Sequence, residues 1–166
     1  MNDELREALD SLCEAAWETS EHTLNSGGCA GFAAIAASVV AKVAPAYSPR
    51  CTVCLPYWSN PDVFRIEWRL RKENPQTLQV WHVVCSITSD DQTLVVDAEH
   101  GVMGLEDYAY KRPELVLVED IAIPPVYAWN AYKVRHLWNS TFKRTSMRRI
   151  RDAARARFGR FSIARD

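Results

Sequence analysis

A chain of 166 residues, 48% hydrophobic, with formal charge −1, is long enough to bury a core without disulfide staples and lacks the composition of a disordered or collagen-like chain. The longest apolar run, Ala30 to Ala44, is interrupted by Ser38 and Lys42 and is too short for a bilayer span. The opening Met1-Asn2-Asp3-Glu4-Leu5-Arg6 has no signal-peptide pattern, so a cytoplasmic protein without membrane association is expected. Five cysteines without framework spacing point to reduced thiols. The charge is unevenly spread: Lys133 to Asp166 holds eleven of the twenty Lys and Arg against two Asp, leaving nine basic and nineteen acidic residues before it.

In chain order, Leu5, Leu9, Leu12, Cys13, Ala16 and Trp17 recur at helical spacing, with acidic residues on other faces, and predict an amphipathic helix. Thr19 to Gly28 reads as a polar, glycine-containing loop. From Cys29 a second helix is expected, apolar around most of its circumference and therefore central, ending at Pro45. Strands follow at Cys51 to Leu55, Val63 to Leu70, Thr77 to Ile87 and Thr93 to Ala98, the last two forming an antiparallel hairpin across Ser89 to Gln92. A short helix near Leu105 to Tyr110 and an extended run at Leu115 to Val118 precede Pro124-Pro125. Two helices close the chain, with stripes at Tyr127, Ala131, Val134 and Trp138 and at Met147, Ile150, Ala154, Phe158 and Phe161. The expected fold is α+β in a single domain, 1–166: a buried helix carrying Cys29 on an antiparallel sheet of about four strands, with C-terminal helices and a basic tail over 126–166.

The chemistry centres on Cys29, which follows Gly27-Gly28 where loop turns into helix. Unpaired N–H groups and the helix dipole at such an end favour thiolate over thiol. A base is available at His82, in Val80-Trp81-His82-Val83-Val84-Cys85, and an orienting acid at Asp97, in Thr93-Leu94-Val95-Val96-Asp97-Ala98. In an antiparallel hairpin the end of the second strand returns to the start of the first, which brings Asp97 toward His82. Oxyanion donors are the Cys29 N–H together with Asn25 or Thr23.

Gly28-Cys29 with an alanine-rich helix, then His82-Val83-Val84, then Val95-Val96-Asp97-Ala98 resembles the papain-like cysteine peptidase superfamily, in particular its transglutaminase-like branch. Ala30 stands where that branch often carries Trp. The resemblance covers Leu24 to Gly101. It implies a papain-like fold and a thiol enzyme with Cys29 as nucleophile, His82 as base and acid and Asp97 as orienter, acting on peptide, isopeptide or other amide bonds of a protein or peptide substrate. Acyl transfer and glutamine deamidation through the same thioester are the alternatives. No metal or organic cofactor is implied.

Each residue also has a plainer reading: a buried cysteine as a small hydrophobe, a satisfied core histidine, a turn-capping aspartate. His100 and, more remotely, His22 are substitutes for the base. Trp58, Trp68 and Trp81 are candidates for a substrate groove, whereas His136 and Trp138 read as structural. Cys51-Thr52-Val53-Cys54 has metal or redox spacing, but an extended chain sends its two thiols to opposite faces. Arg144, Arg148, Arg151 and Arg155 share a helical face. They define the rival reading, a non-catalytic binding or inhibitor protein that docks an anionic partner or nucleic acid through its basic tail.

Overall fold

The computed structural model describes residues 1–71, 82–89, 92–137 and 141–163, and their side chains except at 19, 20, 22, 23, 25, 26, 67–71, 120, 134–137 and 141–143. Helix α1 (Asp3–Thr23) runs through a π-helical turn (Leu24–Gly28) into α2 (Cys29–Val43). There follow β1 (Ser48–Pro56), α3 (Pro61–Arg71), β2 (His82–Thr88), β3 (Thr93–Asp97), β4 (Gly101–Gly104), α4 (Leu105–Lys111), β5 (Leu115–Ile123), α5 (Pro125–Leu137) and α6 (Thr141–Phe158). The architecture is α+β. The sheet has five strands in the order β4-β3-β2-β1-β5, with every neighbouring pair antiparallel.

Helix α2 is central because its sequence leaves it no polar face. Every residue from Ala30 to Val40 is buried. Phe32, Ile35, Val39 and Val40 are at most 2% exposed, and each contributes about 1.5–3 kcal/mol through the apolar surface it removes from water. The helix lies across β1, β2 and β3, with α5 and α6 against its other sides. Its small residues permit this crowding. At Gly31 a Cβ would stand 2.9 Å from Tyr132 Cγ of α5 and 3.3 Å from the Met147 sulfur of α6. Strand alternation then sorts the sheet. Cys51, Val53, Val83, Cys85, Ile87, Leu94 and Val96 join the α2 core, whereas Cys54, Val84, Val95, Met103 and Leu115 form a smaller core on the opposite face around Tyr108 of α4.

Helix α1 protects the β4 edge. Asp10 Oδ1 accepts the Val102 N–H at 2.6 Å and Arg6 Nη2 donates to the Val102 carbonyl at 3.2 Å, which occupies backbone groups an open edge would offer to another chain. Gly101 beneath Asp10 has φ +76, and a Cβ there would meet Asp10 Oδ1 at 2.6 Å.

Three expectations change. Residues Val63 to Leu70 are helical, not extended, because Asn60 Oδ1 accepts the Asp62 and Val63 N–H groups at 2.9 and 3.4 Å, Pro61 fits a first helical turn, and Arg65 pairs with Asp62 at 2.6 Å. Residues Thr19 to Gly28 are not a loop; they complete α1 and form the π-helical turn, where Gly27 takes φ +97. The sheet gains β4 and a β5 longer than Leu115 to Val118, since β5 continues to Ile123 past a register shift opposite Thr52 and Val53. The first part of the expected strand at Thr77 to Ile87, up to Trp81, lies outside the described residues; the rest is β2. No helix among the described residues is long and apolar enough to cross a membrane.

Candidate active site

Cys29, His82 and Asp97 meet where the first residue of α2 reaches the ends of β2 and β3. The hairpin register explains two of the three. Cys85 pairs with Val96 and Thr88 with Thr93, so continuing the ladder sets Asp97 opposite Val84 and on the same face as His82, within diagonal reach. His82 Nε2 lies 2.8 Å from Asp97 Oδ2.

The Asp97 carboxylate also accepts the Tyr108 phenol O–H on Oδ2 at 2.7 Å and the Glu99 N–H on Oδ1 at 3.0 Å. With only donors around an ionised acid, His82 carries its proton on Nε2, and its ring lines the same small enclosed space as the Cys29 thiol. Tyr108 is fully buried and reaches Asp97 from the smaller core, so the acid is held by a second side chain besides His82.

The electrostatics follow from these contacts. Burial is the largest influence on Cys29 and pushes its thiol up. The charge and hydrogen bond of His82, with the Val83 N–H, outweigh it, and the pKa falls below the ordinary 9.0 even though Asp97 opposes. Burial likewise works against a charged His82, but the Cys29 thiolate and the hydrogen bond and charge of Asp97 raise it to about 10. Asp97, also pushed up by burial, is held well below the usual carboxylate range by His82, Glu99 N–H and Tyr108. These opposite shifts favour a thiolate–imidazolium pair backed by a carboxylate. Cys13, Cys51, Cys54 and Cys85 differ: burial pushes all four thiols up with no imidazolium to offset it.

No family model, curated protein or solved structure matches this chain.

The cause of the thiol's acidity differs from the sequence argument. Cys29 does not stand at an open helix end, because the π-helical turn carries backbone hydrogen bonding from α1 into α2. His82 and the Val83 N–H supply what the helix terminus was expected to provide. Of the oxyanion candidates, the side chains of Asn25 and Thr23 lie outside the described residues, as does that of His22. His100 is not the base: its ring packs edge-on against Tyr108 at 6.3 Å, with Nε2 3.8 Å from Glu99 Oε2. Trp58 is 63% exposed beside Tyr57, and Trp81, Trp138 and the side chains of Trp68 and His136 lie outside the described residues.

Cys51 belongs to the larger core and Cys54 to the smaller one, so the CxxC pair is split by the sheet. Among the described residues no group of three or more His, Cys, Asp or Glu is placed to hold a metal. Arg144, Arg148, Arg151 and Arg155 line cavities between α5 and α6, away from the thiol. Sequence reasoning missed Tyr108, the Val83 and Glu99 N–H groups, and Trp17, which helps enclose the thiol with Leu24 and Phe32. The enclosed space at the thiol is about 20 Å³, room for about one water.

Proposed function

We propose that this protein is a thiol enzyme with a papain-like, transglutaminase-like arrangement that attacks an amide carbonyl of a protein or peptide. The observation that carries the reading is the His82–Asp97 contact at 2.8 Å, with the Cys29 thiol on the same small enclosed space as that imidazole. Such a relay sets tautomer, orientation and charge at once.

In the reaction, Cys29 Sγ adds to the carbonyl carbon and its lone pair forms the S–C bond. As the tetrahedral adduct collapses, the C–N bond breaks and His82 gives the Nδ1 proton to the departing amine, leaving a thioester and neutral imidazole. Water then adds to the thioester, passing a proton to Nδ1. The S–C bond breaks and the carboxylic acid leaves the restored ion pair. Hydrolysis of peptide or isopeptide bonds is the leading outcome. A primary amine in place of water gives acyl transfer, and a glutamine side chain as substrate gives deamidation. Asp97 keeps Nε2 protonated throughout, and Tyr108 fixes Asp97.

The test is iodoacetamide labelling from about pH 5 to about pH 9, read by peptide mapping. Below neutral pH an ordinary thiol with pKa 9.0 is almost wholly protonated, so Cys29, whose pKa is lowered, should label faster than an unassisted thiol. The advantage should vanish in His82→Ala. Equal rates at every cysteine, or a Cys29 that reacts only on unfolding, would refute the reading.

A further inference from the structure

Two cavities open side by side between α5 and α6, and their linings alternate in chemistry. The first, about 360 Å³, has Trp129, Tyr132 and Met147 as apolar walls and Arg144 and Arg148 among its cations. The second, about 190 Å³, is walled by Val126, Phe161 and Ile163 with Arg155 beside them. Lys133, Trp129 and Arg151 line both and form the partition.

The partition is a preorganised cationic element. Trp129 stacks on Tyr132 at 5.6 Å, while Lys133 Nζ and Arg151 Cζ lie 5.7 and 6.0 Å from the centre of its ring. Arg155 is placed the same way on Phe161, at 5.8 Å. Among the described residues no carboxylate lines either cavity. Among the described residues none of these five cations forms an ion pair. The Nε atoms of Arg151 and Arg155 are buried without a hydrogen-bond partner, a cost that an anion would remove.

We propose that this double cavity binds single-stranded nucleic acid, with one base in each apolar chamber and the intervening phosphate on the Lys133–Arg151 partition. The order apolar chamber, cationic wall, apolar chamber matches the order base, phosphate, base along a strand. An acidic peptide supplies the anions but no large flat groups for the chambers, and a duplex keeps its bases stacked inside. Arg144 to Arg155 covers about 16 Å of helix, enough for flanking phosphates to be held as well. The inference is independent of the thiol chemistry.

Fluorescence anisotropy of the full chain with a labelled oligothymidylate of about ten nucleotides tests this. If about four phosphates are neutralised, affinity falls with a logarithmic salt slope of about −2.8, or about 50-fold between about 50 and about 200 mM salt. Arg144→Gln with Arg148→Gln, both exposed positions, should halve the slope, so that the same salt step costs only about sevenfold. An abasic oligomer of equal length should bind at least about tenfold more weakly, and so should the duplex. No binding at about 50 mM salt, an unchanged slope in the double variant, or polyglutamate, duplex or abasic oligomer competing as well as oligothymidylate would each overturn the proposal.

Discussion

Replacing Asp97 by Asn separates the two roles the carboxylate plays. Asp97 is 3% exposed and receives three donors, two of them on Oδ2 (His82 and Tyr108) and one on Oδ1 (Glu99 N–H). An amide can turn its oxygen to the Oδ2 position and keep both side-chain donors, but its NH₂ then faces the Glu99 N–H, and that bond is lost. The Tyr108 bond becomes neutral and the His82 bond loses its anionic acceptor, about 1 kcal/mol each, and the third contributes about 2 kcal/mol, giving about 4 kcal/mol in all. Removing one partner of a buried pair gives the same size, about 3–5 kcal/mol. In a domain of this length the melting temperature should fall by about 8–16 °C. The thiolate should persist, because Cys29 itself is the first influence raising His82 and because Asp97 acts against the thiolate directly. Turnover should fall by about 10²–10⁴ as the imidazole loses its orienter. Calorimetry, iodoacetamide profiles and, once a substrate is found, acyl turnover are measured on the same preparation. A variant melting within about 2 °C of the parent, or one whose labelling below neutral pH collapses, would refute the reasoning.

Cys29→Ala removes the main support for the His82 charge. A raised His82 pKa stabilises the fold fully below the ordinary 6.5 and ceases to do so as pH rises through about 10, so in the variant the alkaline loss of melting temperature should begin at lower pH; an unchanged alkaline limb would contradict the ion pair. Tyr108→Phe deletes one donor to a buried carboxylate and should cost about 2 kcal/mol, or about 4–8 °C by thermal melting. Gly31→Ala forces a Cβ to 2.9 Å from Tyr132 and should destabilise by about 1–3 kcal/mol in chemical denaturation while leaving the pH profile of Cys29 labelling in place.

What could be read from the sequence was whatever local pattern and chain direction determine. The all-round apolar helix from Cys29 and the β2–β3 hairpin are of this kind, and the hairpin alone carries Asp97 to His82. Residues Val63 to Leu70 misled because Val63, Phe64, Ile66 and Trp68 favour strands; the Asn60-Pro61-Asp62 cap was present in the sequence and outranked side-chain propensity. Tyr108 was not legible. It lies on a short helix after β4, on the far side of the sheet from Cys29, and only the three-dimensional crossing brings its hydroxyl to Asp97. The Val83 N–H is equally silent in sequence, since every residue but proline has one and only placement gives it a task.

The π-helical turn at Leu24–Gly28 sets an angular phase between two helices. An α-helix advances about 100° per residue, and a π turn accommodates one residue more than an α turn before bonding closes. If the same residues instead ran as a regular α-helix, the extra residue would turn α2 by about 100° against α1. Either Leu9, Leu12, Cys13 and Ala16 of α1 would leave the core, or Cys29 would swing away from His82. The width of this turn thus acts as a clock setting for the Cys29 thiol: it takes up one residue, and without that allowance sulfur and imidazole would fall out of step.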